Sequence, residues 1–251
     1  MAETPRDEET GTNRRTWRFW TALVLVPVAL VILLSLGTWQ VNRLHWKEAL
    51  LADIQARSSA PAADIAEIER LNTAGEPIDY RHATASGRYL HDKERHFLAT
   101  FEGQSGFYLY TPLELADGRF LFVNRGFVPY DRKDPATRPE SLAEGSQTVT
   151  GLARAELTDK PSSLVPDNDE TANIFYWKDR ARMAASVNLP ADRVLPFFLD
   201  ADATPVPGGL PRGGVTQVVL SNNHLQYAIT WYGLAFALVA VTIAGLVRRR
   251  T

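Results

Sequence analysis

His224 is the side chain in this sequence best placed to do chemistry. It lies in the stretch SNNHLQYAITWYGLAFALVAVTIAGLVRRR (221–250), between a polar start and a long apolar run. With Ser221 or Asn222 as the helix N-cap, His224 falls in the first turn, at the edge of the apolar segment. The positive end of the helix dipole disfavours imidazolium there, so the ring is expected to be neutral with one nitrogen lone pair free. Residues 224, 227, 228 and 231 share a helical face, which sets the ring above Tyr227 and Trp231. One reading is a metal-ligating nitrogen beside a flat aromatic wall. The other is a histidine in an ordinary interfacial aromatic belt, and spacing alone leaves both open.

The helix that must position His224 carries no Asp, Glu, Lys, Arg or His from Leu225 to Val247. At about 1.5 Å per residue it reaches roughly 34 Å, enough for a hydrocarbon core of about 30 Å. Phe19–Trp39 is equally uncharged. Its apolar run is longer than a signal peptide's and no small-x-small cleavage site follows closely, so it reads as an uncleaved anchor in which Pro27 would place a kink. The expected segmentation is a disordered cytoplasmic tail (1–16), a first transmembrane helix (17–41), an extracytoplasmic domain (42–222), a second transmembrane helix (223–247) and a cytoplasmic tail (248–251). Arg14, Arg15 and Arg18 before the first span, with Arg248, Arg249 and Arg250 after the second, put both termini in the cytoplasm. Gly233 with Ala237, and Ala240 with Ala244, form small-xxx-small pairs that would let the two helices approach.

Between the spans the pattern changes. Residues 42–57 continue the first helix as an amphipathic segment, and Ala62–Leu71 reads as a short helix. Arg81–Leu90, Arg95–Phe101, Phe107–Leu115, Arg119–Val128, Gln147–Arg154, Arg193–Asp200 and Val215–Leu220 read as strands, and Asp117-Gly118 as a hairpin turn. Ile174–Asn188 reads as a helix. The fold class expected is an integral membrane protein whose two transmembrane α-helices flank a mainly antiparallel β domain, barrel-like or α+β. The net charge of −2 gives no reason to expect nucleic acid. The absence of cysteine excludes disulfides and thiolate metal sites.

The remaining candidates are weak. His91 and His96 lie five apart across a predicted turn, but two imidazoles are too few for a specific metal site. His45, one turn beyond the first span, would be able to face His224. Arg125 in FVNRGF reads as half of a structural ion pair, and Asp167, Asp169 and Glu170 as solvated. No G-x-S-x-G, P-loop or HExxH pattern is present, so no enzyme is expected.

Six segments carry a resemblance: LGTWQVNRLHWKEAL (36–50), GRYL (87–90), GFYLYTPLELADGRFLFVNRGFVP (106–129), PDNDETANIFYWKD (166–179), PFFLDA (196–201) and NNHLQYAITWYGLA (222–235). In this order they resemble the surfeit locus protein one family of cytochrome c oxidase assembly factors. The resemblance implies a bacterial inner-membrane protein with a periplasmic main domain. Its task would be to assist insertion of haem a into subunit I of the oxidase, with haem a synthase as a further partner beside the lipid bilayer. In family terms His224 is then the axial ligand of the haem iron, and Tyr227 and Trp231 shield the macrocycle. Arg43, at headgroup depth, pairs either with lipid phosphate or with a haem propionate. A non-haem scaffold that steadies oxidase assembly intermediates is the alternative.

Overall fold

The computed structural model describes residues 9–216 and 222–248. They divide into two units, a helical pair within residues 1–51 and 219–251 and a β-rich unit within 52–218. Helix α1 spans Glu9–Ser59 and passes through Pro27 without a break. It begins inside the tail expected to be disordered; residues 1–8 lie outside the described part. Nothing in the amphipathic stretch after Trp39 stops it until Ser58-Ser59-Ala60-Pro61, where the proline disfavours helical backbone at the residue before it. Helix α4 spans His224–Arg248. Both helices are long and apolar enough to cross a membrane.

The seam of the helical pair is made of small residues and a few polar contacts. Gly37, Ala228 and Ala235 are buried. A methyl group at Gly37 would come within 2.8 Å of the Tyr232 ring, so only glycine allows this approach. The hydroxyls of Thr38 and Tyr232 lie 3.1 Å apart. These contacts set the rotation of α4, and they correct the seam expected from sequence. Gly233, Ala237, Ala240 and Ala244 are exposed on other faces, and a methyl group at Gly233 would meet nothing.

The β-rich unit has seven strands: β1 (Ala63–Asp64), β2 (His82–Tyr89), β3 (Arg95–Phe101), β4 (Gln104–Leu115), β5 (Phe120–Pro129), β6 (Ser146–Ala155) and β7 (Val194–Ala201). Five close into a barrel in the order β2-β6-β7-β5-β4, with β2 returning to pair with β4. Most pairings are antiparallel, while β5–β7 and β1–β2 are parallel. Closure passes through Gly87, which pairs with both Leu115 and Gln147. A Cβ there would sit 2.3 Å from the Glu114 carbonyl oxygen. Asp117-Gly118 makes the β4–β5 turn, with Gly118 at φ 79°. Strand β3 hangs on the outside of β4. Helix α2 (Ile65–Thr73) starts at Asp64, whose carboxylate accepts from the Glu67 N–H at 2.8 Å. It lays Ile65, Ile68 and Leu71 onto a core that includes Leu113, Leu121, Val123, Phe197 and Leu199.

Two expected elements change. In place of a helix over Ile174–Asn188, Phe175 bridges to Phe97 on β3. The Asn168 side-chain oxygen accepts the N–H groups of Tyr176 and Trp177 at 2.8 and 3.2 Å. Helix α3 is therefore only Arg180–Ala185, capped by Asp179. Of the last expected strand, Val215 and Thr216 have irregular backbone and 217–220 lie outside the described part.

One buried polar cluster stands out beside this apolar core. Glu94 is 3% exposed, Arg138 3% and His96 5%. Glu94 Oε1 accepts from Arg138 and lies 2.9 Å from Nε2 of His96. Burial alone would raise the Glu94 pKa, but the His96 bond and the Arg138 charge outweigh it, and the carboxyl is held below its ordinary value of 4.5. A carboxyl depressed by folding stabilises above its unfolded pKa, and that contribution is lost as pH falls through the lower folded value. Thermal melts of the protein at a series of pH values should show stability falling steeply below about 4.5. Glu94→Gln should flatten that fall; an unchanged slope would count against the assignment.

Candidate functional site

Of the residues expected to act, His224, Tyr227 and Trp231 lie on the first turns of α4. The first helical backbone bond runs from the Tyr227 N–H to the Asn223 carbonyl at 3.3 Å. Asn222 does not cap the helix, because its side-chain oxygen is buried and finds no partner among the described residues. Ser221 lies outside them. His224 is half-buried, and its Nδ1–H donates to Oε1 of Gln40 on α1 at 2.7 Å. Gln40 is 8% exposed. A buried amide on an apolar helix costs free energy unless it is bonded, and His224 is the group that bonds it.

The other predicted residues separate. Trp231 is half-buried one heptad beyond His224, and its indole N–H is buried with no acceptor among the described residues. Tyr227 flanks the same turn but is 54% exposed. Arg43 is exposed, with its guanidinium stacked 3.9 Å above the Trp46 ring. His45 is exposed too, and Gln40, not His45, faces His224.

Sequence reasoning missed Gln40, although the signal was present. It is a side-chain amide flanked by Trp39 and Val41 at the end of an apolar run, where it needs a partner.

The β-rich unit offers histidines already committed to structure. His91 Nε2–H donates to the Ala143 carbonyl at 3.0 Å, and its Nδ1 accepts from Arg125 at 3.2 Å. Burial first, and then the Arg125 charge, lower its pKa, consistent with a neutral ring. His96 turns instead to Glu94. The ion pair expected for Arg125 is not what forms. Its guanidinium donates to the Ser141 carbonyl at 2.6 Å and stacks over Tyr89, and no carboxylate pairs with it among the described residues. Strand β5 aims it at the 139–143 loop, where carbonyls are the available acceptors. No group of three or more His, Asp or Glu residues able to hold a metal ion occurs among the described residues.

The geometry leaves the family to be decided by comparison with known proteins. The SURF1 family matches residues 27–236, from inside α1 to well into α4. The chain belongs to the SURF1 family. Surfeit locus protein 1 of Xenopus tropicalis is 37% identical over 237 residues, covering 86% of this chain and 71% of that protein. Surfeit locus protein 1 of Homo sapiens is 35% identical, covering 86% and 73%. A SURF1-like protein of Monosiga brevicollis is 35% identical, covering 93% and 88%. The family match thus takes in Gln40, Arg43, His224, Tyr227 and Trp231 together with the whole barrel.

Proposed function

We propose that this SURF1-family protein is an assembly factor for cytochrome c oxidase that holds haem a at the start of α4 and assists its insertion into subunit I. The observation that carries the reading is the Gln40–His224 pair, a single imidazole fixed in the seam of two membrane-spanning helices. One imidazole cannot hold a bare metal ion, which takes several protein ligands. It can hold an iron that arrives with its equatorial ligands already supplied by a macrocycle. The residues present fit such a group. His224 has a second ring nitrogen beyond the one bonded to Gln40, and Trp231 offers both a ring face and an unmet N–H donor. The cavity beside Arg125, about 240 Å³, lies below the roughly 300 Å³ at which pockets for drug-sized ligands begin. It is too small to enclose a macrocycle.

Bound haem would supply the iron; His224 would hold it, with Trp231 as an aromatic surface beside it. A half-buried ligand at the end of the seam suits transfer, because cargo can leave without a closed pocket having to open. Arg43, freed from Trp46, would meet a propionate. In this reading both termini are cytoplasmic, residues 42–222 lie in the periplasm of a bacterial inner membrane, and haem a synthase is the donor.

The test is the visible spectrum and extracted haem of detergent-purified protein from cells that make haem a. A Soret band with haem a in the extract is the expected result. A colourless protein that still co-purifies with oxidase subunits would replace the carrier with a non-haem scaffold. Trp231→Phe keeps the ring but removes the N–H. It should weaken haem binding by roughly 3- to 10-fold, the worth of one hydrogen bond, in a haem titration; an unaltered affinity would remove the indole from the site.

A further inference from the structure

We propose that Gln40 is a positioning residue: it fixes the tautomer of His224 and so makes Nε2 the ligating nitrogen. The role toward a metal rests on the haem-carrier reading; the tautomer does not. A neutral imidazole has one N–H and one lone pair, and a carbonyl oxygen only accepts. With Oε1 of Gln40 at 2.7 Å from Nδ1, the proton must sit on Nδ1 and the lone pair on Nε2. Metal-bound histidines are oriented in this way by an acceptor on the ring nitrogen that does not face the metal.

Burial makes the bond obligatory. Gln40 is 8% exposed and has an apolar membrane-spanning run before it, so water is a poor substitute for His224 as its partner. The amide has two faces, however. If its NH₂ faced the ring, Nδ1 would have to accept, the proton would move to Nε2, and no lone pair would be left for iron. Gln40 therefore decides between a ligating and a non-ligating ring without touching the ligand. Among the described residues no other group bonds to either ring nitrogen of His224.

The experiment uses the full chain, ¹⁵N-labelled at histidine, in detergent and without haem. The His224 signals are assigned by their loss in His224→Ala. The wild type should show a protonated Nδ1 and an unprotonated Nε2. Gln40→Met, which keeps the side-chain length without the acceptor, should shift the population toward protonated Nε2, and Gln40→Glu should keep Nδ1 protonated. In a parallel titration with ferric protohaem, Gln40→Met should bind about 10- to 100-fold more weakly than the wild type, and Gln40→Glu comparably to it.

A protonated Nε2 in the wild type, or an unchanged tautomer in Gln40→Met, would overturn the proposal. If the tautomer shifts as expected but neither protein binds haem, the positioning role stands and the carrier reading fails. Should Gln40→Met not insert, the comparison of wild type with Gln40→Glu still decides. A wild-type ring whose Nδ1 becomes protonated only in the Glu variant would overturn the proposal.

Discussion

His224→Ala should empty the protein of haem while leaving it inserted and folded. In the haem-carrier reading, removing the imidazole proposed to hold the iron ought to cost at least the 100-fold or so in affinity that loss of a supporting partner can cost. Haem extracted per protein should therefore fall far below the wild-type value, and the affinity in a haem titration by about 100-fold or more. The structural cost is smaller. His224 makes one hydrogen bond, worth about 0.5–1.5 kcal/mol net, but its loss strands the buried Gln40 amide at about 1–3 kcal/mol. The double variant Gln40→Leu/His224→Leu removes both partners and should recover most of that stability without recovering haem. Haem content unchanged in His224→Ala would end the ligand assignment. Haem restored in the double variant would make His224 a packing residue.

Arg138→Leu is the largest stability effect to be expected in the β-rich unit. It leaves the Glu94 carboxylate buried, with His96 as its remaining partner. Removing one partner of a buried ion pair costs about 3–5 kcal/mol, a large part of the 5–15 kcal/mol that holds a typical domain folded. Denaturant unfolding of the purified protein should show the midpoint fall sharply. Adding Glu94→Leu should return part of the loss, because the stranded charge is removed while the buried His96 ring loses its Glu94 partner. A single variant within 1 kcal/mol or so of the wild type would mean the pair is not closed in solution.

The contrast between these two sites explains what was readable from residues. The spans were legible because a helix that crosses lipid needs a long uncharged run, and such a run is read directly from residue types. The barrel strands were legible because alternation and the Asp117-Gly118 turn are local signals. Helix α3 was misjudged because its boundary is decided by Asn168, a side chain ten or so residues away that captures two backbone N–H groups. The Arg125 environment was misjudged for a related reason: guanidinium is as well served by carbonyls as by a carboxylate, and the sequence does not say which loop will arrive. His224 was visible as a chemical group, whereas Gln40 was not, since pairing across two helices distant in the chain depends on their relative rotation. The small-residue pairs failed on the same point. Sequence shows which positions permit close approach, and a few contacts such as Gly37 against Tyr232 choose among them.

The closing strand of the barrel has a consequence for synthesis. Strand β7 pairs with both β5 and β6 and is the last strand of the ring, so all barrel strands exist once Ala201 has been made. His224 follows about two dozen residues later. At roughly 5–20 residues per second, that interval is on the order of one to five seconds. Most non-local pairings of a small β domain form in milliseconds to seconds. The chain order thus places every barrel strand ahead of α4, so the sheet can begin to close before the helix that starts at His224 is delivered.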